Sequence, residues 1–486
     1  MTGQGGVFEG RLLRRGEPGF EQAAVGRVFN QRREARRPAA VLEAACAQDV
    51  VAGVQLARRE GLRVGVRSGG HSWAAWGLRA EALLIDLGGL EELAYDEATQ
   101  VVRASPSTQG GLELAPFLDE RGRSFPGGHC PRVGLGGFLL QGGQGWDGRR
   151  KGWACESIVA LDAVTAAGEL VHATEDNEHA DLLWAARGAG PGFPAIVVRF
   201  HLRTWPIAPA MTQDTWTFAL DDLEPLLGWM HDVLPALDDV VEPVIAATRL
   251  PGVPLHPGVA PPAGPVLLLH TTAMCDTDEE AERVLAPLSA AACPLADRAL
   301  GHVRSRTDVL TENAAQAEQN PEGHRYAVDC QWTDAPAAEL APRLRAIWGE
   351  LPTVHSFSIW YGWAPRRPLP DMAFSMEADV YLATYAIWTD EADDERLRSW
   401  VVDRTRALAE VGKGVYLGDT DFTRRPDTFM APENLARLEE IRAAYDPEGR
   451  ICSYLYADDA AGWRAPPREV PSARGAFVGH GRTIKT

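Results

Sequence analysis

Two glycine-rich segments constrain this chain more than anything else in it. The first is Arg67-Ser68-Gly69-Gly70-His71-Ser72-Trp73, directly after a short β-branched run at residues 62–66. Glycines after a strand let backbone N–H groups point at a phosphate with no Cβ in the way. Taken alone, the segment reads equally as a tight turn with a surface histidine. The second segment runs Pro126-Gly127-Gly128-His129-Cys130-Pro131-Arg132-Val133-Gly134-Leu135-Gly136-Gly137-Phe138 and continues through Gly142, Gly143 and Gly145. So many glycines leave a surface that a large flat ligand can approach closely. A flexible linker would leave Pro131, Val133, Leu135, Phe138 and Leu139 in water, so that reading is poor. The ATP-loop pattern GxxxxGK[ST] is absent, and no clean βαβ unit with a later acidic residue supports a nicotinamide site.

The rest of the chain narrows the partners. At 486 residues it is too long for one compact core, so two domains are expected. A net charge of -19 repels phosphate backbones and argues against nucleic acid. The cluster Arg32, Arg33, Arg36, Arg37 reads as a solvated segment. No apolar stretch approaches a membrane span, and residues 1–10 lack the pattern of a secretory signal. The cysteines at 46, 130, 155, 275, 293, 330 and 452 show no CxxC or Cys/His spacing, so no metal and no disulfide framework is expected. A cytoplasmic protein is the reading.

Periodicity predicts helices at 48–60, 112–119, 181–187, 221–237, 276–288, 337–349 (with Pro342 inside), 390–411 and 432–445. Strands are expected at 62–66, 83–87, 101–104 and 195–202. Residues 158–164 and 170–173 read as a hairpin, and 451–456 as a last strand. From about 210 to 415 apolar strands alternate with acidic helices, which suggests an antiparallel sheet covered by helices.

The two glycine motifs, 59 residues apart and in this order, resemble the berberine-bridge-enzyme-like branch of the vanillyl-alcohol-oxidase (p-cresol methylhydroxylase) flavoproteins. Ala195-Ile196-Val197-Val198 and Tyr445-Asp446-Pro447 extend the likeness. The resemblance implies an α+β, two-domain fold: an FAD-binding domain at 30–207, a substrate domain at 208–414 and a return to the first domain at 415–486. It implies FAD bound twice, by His71 at the flavin 8α-methyl carbon and by Cys130 at ring carbon C6. Both side chains are nucleophiles, which suits them to that chemistry. Arg67, Ser68, Gly69 and Gly70 would cradle the pyrophosphate. Val133, Gly134, Gly137, Gly142, Gly143, Gly145, Ile196 and Val197 would line the cofactor. Phe138 stands where many relatives have a histidine, and Val133 stands where relatives control oxygen access.

Tyr416-Leu417-Gly418-Asp419-Thr420-Asp421 resembles the family's Y-x-N-x-x-D signature, with Gly418 in place of the asparagine. Tyr416 is the first candidate base, provided its pKa falls well below about 10. Glu377, Tyr381 and Tyr385 fall on one face of an extended strand and are further candidates for base or substrate contact. His129 reads as local structure. The expected reaction is hydride transfer from a C–H bond of a sugar or secondary-metabolite intermediate to the flavin, with O2 as acceptor. A dehydrogenase, a flavin oxygenase and a non-catalytic flavoprotein are the competing readings. The protein is expected as a monomer or homodimer acting on a small molecule.

Overall fold

A computed structural model describes residues 8–457. Residues 1–7 of the N-terminal start and 458–486 of the expected C-terminal return lie outside the described residues.

Three sheets carry the fold. The smallest of them orders its strands Arg11–Arg14, Ala40–Glu43, Leu83–Asp86 and Val64–Arg67, the last three parallel. Parallel strands need a crossover, and the helix Ala47–Glu60 joins Ala40–Glu43 to Val64–Arg67, with Leu83–Asp86 lying between those two in the sheet. Val50, Val54 and Ala57 on that helix pack on Leu42 and Ile85, and Gly61 ends it at φ 68°. This sheet thus begins at Arg11, ahead of residue 30. The second sheet is antiparallel, in the order Leu93–Asp96, Val101–Ala104, Ala195–Arg203, Ile158–Thr165, Leu170–Ala173.

The third sheet has seven antiparallel strands: Gly301–Thr307, Ala210–Ala219, Val266–Cys275, Val241–Thr248, Phe357–Gly362, Val380–Trp388 and Arg325–Thr333. Side chains alternate across a strand. Trp216, Phe218, Ile245, Leu267, Leu269, Trp360 and Leu382 point to one side, where the helices Leu223–Val233 and Ala337–Trp348 cover them. The alternate residues, among them Thr215, Val244, Leu268, His270, Ile359, Tyr381 and Tyr385, face a cavity shared with the glycine loops.

Several expected elements change shape. The helix expected at 221–237 is α-helical only over Leu223–Val233, because Pro235 lacks the amide that would continue it. The helix expected at 276–288 is capped by Thr277, which accepts from Glu280 N at 3.1 Å, and runs Asp278–Leu285 before Pro287. Residues 112–119 open with a π-turn, Gly110–Leu114, before the helix Ala115–Asp119. The strand expected at 451–456 reduces to one parallel bridge, Ile451 to Val64. Residues 374–377 form no strand. Phe374 N donates to Arg187 O at 2.8 Å, which docks this segment beside the helix Ala180–Ala186, and the ladder starts only at Val380. The helix Val309–Gln319 has no counterpart in the sequence reading.

The arginine cluster is not a solvated segment. Arg32 donates to Trp73 O (2.9 Å), Arg33 to Val25 O and Val28 O (2.7 and 2.8 Å), Arg36 to Ala74 O (2.7 Å) and Arg37 to Glu34 O (2.6 Å). The guanidinium groups are spent on loop carbonyls rather than left in water.

Candidate active site

The two glycine motifs meet backbone to backbone. A Cβ on Gly69 would lie 2.6 Å from Gly134 N, and one on Gly134 would lie 2.7 Å from Gly69 Cα. Only glycine at both positions permits this approach. The contact brings His71 and Cys130 onto the wall of one cavity of about 840 Å3. Gly134→Ala is expected to destabilise the protein by about 1–3 kcal/mol, the usual cost of overpacking, and to lower the flavin-to-protein absorbance ratio of the purified chain.

The loop residues divide into those on the wall and those behind it. Ser68, Gly69, Gly70, Val133, Gly134, Gly137, Phe138, Ile196 and Val197 line the cavity. The backbone N–H groups of residues 68–72 donate to no carbonyl among the described residues, which leaves them free for an anion. Arg67 also reaches the wall, but its guanidinium is committed elsewhere. It donates to Asp86, to Ala24 O at 2.6 Å and to Ala23 O, so the turn's backbone rather than this side chain is left for a pyrophosphate. Gly142, Gly143 and Gly145 do not reach the wall. A Cβ at these positions would meet Phe374, Ala154 and Pro126 at 2.8, 2.8 and 2.2 Å, so these glycines serve close packing.

The implied FAD can be tested against the two nucleophiles. The His71 ring stacks on Phe29 with centroids 4.1 Å apart, and its Nδ1 is buried without a hydrogen-bond partner. Burial, with Arg132 nearby, pushes its pKa down to about 3, so the imidazole is neutral. Orphaned buried nitrogens are rare, and a bond to a ligand carbon would remove this one. Cys130 is a free thiol. Burial first, and Asp419 in addition, push its pKa up to about 11 against the opposing Arg132 amide. A neutral imidazole with an unpaired nitrogen and a free thiol on adjoining loops fit the group.

Opposite the loops, Asp419 gathers three donors. Trp73 Nε1 donates to Oδ1 at 2.8 Å, while Tyr381 and Tyr385 donate to Oδ2 at 2.6 and 2.8 Å. Burial, then the Asp419 charge, raise both phenol pKa values well above 10, so both hold their protons. The Tyr416 hydroxyl accepts from Gly143 N at 3.2 Å. Its pKa also rises, through burial and then Asp419, where a free-standing base would need it to fall. Gly418 is required here, because a Cβ would lie 2.4 Å from Tyr416 Cε1; this is why the family's asparagine has no room. Glu377 does not join the group. Its Oε2 accepts from Trp153 and Trp363 at 2.9 and 3.0 Å, outside the cavity wall.

The segment bearing Asp419 is fastened by Arg425, which grips Asp329 at 2.6 and 2.7 Å. Both partners are buried. Asp329→Ala leaves Arg425 with Asp427 as its remaining carboxylate partner and is expected to cost about 1.5–3 kcal/mol, read as a fall in the denaturant midpoint.

Sequence reasoning missed Asp419 as the hub and missed a polar group further along the sheet. Glu242 accepts from Gly148 N at 2.9 Å, with His129 Nε2 3.6 Å from its other oxygen. His129 packs against Trp146, centroids 4.3 Å apart, and lines the cavity instead of serving only its loop. An acidic residue inside an apolar strand, as Glu242 is in Val241–Thr248, was the available signal.

Comparison with known proteins places this architecture. The FAD-binding-domain family matches residues 38–174. The FAD-linked oxidoreductase janO of Penicillium janthinellum is 35% identical over 451 residues, covering 91% of this chain and 96% of that protein. The xylooligosaccharide oxidase of Thermothelomyces thermophilus is 36% identical over 177 residues, 36% of this chain and 35% of its own length. Among solved structures, Physcomitrella patens BBE-like 1 superposes with a TM-score of 0.76 at 17% identity, over 95% of this chain and 97% of that one. Described residues contain no helix long and apolar enough to cross a membrane. With its glycine loops and this similarity along nearly its whole length, the chain belongs to the FAD-linked oxidoreductases, and it shares the fold of the berberine-bridge-enzyme-like proteins.

Proposed function

We propose that this enzyme holds FAD through both His71 and Cys130 and works as an oxidase on an intermediate of secondary metabolism. One observation carries the reading: an unpartnered buried imidazole nitrogen and a free thiol lie on two loops in direct backbone contact, on the wall of one cavity. When bound, FAD supplies a hydride acceptor that O2 reoxidises with release of H2O2.

The chain's own part is to take the accompanying proton. Tyr381 and Tyr385 are phenols, so neither is a base by itself. Each can accept a proton from a substrate hydroxyl or amine on Oη only while passing its own to Asp419 Oδ2. Proton and charge balance: the substrate loses a proton, the phenol is restored and the carboxylate becomes a carboxylic acid. Tyr416 packs edge-on to Tyr381, centroids 6.2 Å apart, and holds its ring in place. Val133 on the cavity wall supports the oxidase reading by resemblance.

The cavity favours an apolar substrate over an oligosaccharide. Val244, Ala246, Leu268, Phe357 and Ile359 form much of the sheet wall. The likeness to the xylooligosaccharide oxidase spans 36% of the chain, whereas that to janO spans 91%. Small molecules and O2 are the proposed partners, with the chain acting as a monomer or homodimer in the cytoplasm.

Two measurements test the reading. A denatured mass spectrum is expected to show the chain plus one FAD. An oxygen electrode is expected to record peroxide formation matching oxygen uptake when a compound bleaches the flavin. Flavin released entirely on acid precipitation defeats the double tether. Bleached flavin that only an artificial acceptor reoxidises defeats the oxidase assignment.

A further inference from the structure

His270 stands in the middle of the cavity face, on the strand Val266–Cys275, in register with Thr215 on one side and Val244 on the other. Its Nδ1 lies 3.0 Å from Thr215 Oγ1 and 3.2 Å from Gln213 Nε2. An amide nitrogen only donates, so Nδ1 is the acceptor and the proton of the neutral ring sits on Nε2. Burial holds the ring neutral, pushing its pKa down to about 4. The Nε2–H is buried and has no hydrogen-bond partner.

A carboxylate oxygen, Glu312 Oε2, lies 3.8 Å away on the helix Val309–Gln319. That gap is too long for a direct bond. Glu312 is buried, and its other oxygen already accepts from Thr307 Oγ1 at 2.7 Å. Next on the same face, Thr272 Oγ1 is also buried without a partner. Val244, Ala246 and Leu268 form the apolar part of the wall beside these groups. Unpaired buried donors and acceptors are costly, and binding sites use a few such groups on apolar walls to orient a ligand.

We infer that His270 and Glu312 form a recognition subsite for one hydroxyl group of an otherwise largely apolar substrate. The hydroxyl oxygen accepts from His270 Nε2–H and donates its own proton to Glu312 Oε2, closing the gap between them. The inference rests on reading this cavity as the site of substrate oxidation, and it names the class of molecule that enters it.

The test titrates the holoenzyme with matched probes: naphthol and naphthalene, phenanthrol and phenanthrene, androstanol and androstane. Binding is read from the change in flavin visible absorbance and, independently, from quenching of tryptophan fluorescence, since Trp146 lines the same cavity. At least one alcohol is expected to bind about tenfold more tightly than its hydrocarbon, the worth of a buried hydrogen-bonded pair. His270→Ala and Glu312→Ala, each checked for an unchanged melting profile, are expected to bring that ratio to about one. The subsite is overturned if no alcohol outbinds its hydrocarbon in the unmodified enzyme, or if both variants keep the preference. A preparation without flavin would instead defeat the proposed function, and the tryptophan signal would still decide the subsite.

Discussion

Asp419→Asn is expected to slow anaerobic bleaching of the flavin by about 10²–10⁴-fold, the range for loss of a positioned general base. Asparagine is nearly isosteric. It still accepts the Trp73 indole N–H, so the site keeps its shape, but it cannot take up a proton from Tyr381 or Tyr385. Flavin content should therefore stay at the unmodified level while the rate collapses. Any compound that bleaches the unmodified flavin serves as the reductant, followed by stopped-flow absorbance. Tyr381→Phe and Tyr385→Phe separate the two phenols: whichever carries the proton should show most of the Asp419→Asn loss, and the other little. An unimpaired Asp419→Asn enzyme would mean that the proton leaves by another route, with Glu242 and Glu312 the buried carboxylates on the cavity wall.

The second large effect concerns the two anchors. His71→Ala and Cys130→Ala, each alone, are expected to leave yellow protein after acid precipitation, because the other bond survives. The double variant should give a colourless pellet, with all flavin in the supernatant. Its unfolding temperature should fall as well, because a ligand that dissociates stabilises only by the logarithm of its free concentration over its Kd. If either single variant alone releases all the flavin, the chain has one tether, and the retained residue of the pair is a bystander.

The sequence carried the glycine loops plainly, because the chemistry they permit depends on backbone that no other residue allows. It carried the helix Pro432–Tyr445 and the strand Val101–Ala104 to the residue, since caps, proline and β-branched runs are local signals. What it did not carry are pairs formed by the fold. Trp73 and Asp419 are 346 positions apart. No spacing rule joins them, and Asp419 lay hidden beside a tyrosine that attracted the catalytic role. Glu377 looked like a same-face partner of Tyr381 only while residues 374–377 were taken as strand. The bond from Phe374 N to Arg187 O removes that premise. The helix Val309–Gln319 is weakly apolar, with only Asp308, which accepts from Thr311 N at 2.7 Å, to mark its start. Its importance lies in Glu312, whose partner stands on another strand.

The alternation in the seven-stranded sheet separates two kinds of tolerance. Residues such as Leu269, Ile245 and Trp360 are locked against helices, where lost volume costs several kcal/mol. Their immediate neighbours in sequence, His270, Val244 and Ile359, face the ligand space. A lineage could therefore exchange what it oxidises by rewriting every other letter of these strands, with the scaffold left almost untouched. Retargeting in the laboratory can follow the same stencil, beginning with positions 244, 246, 268 and 359.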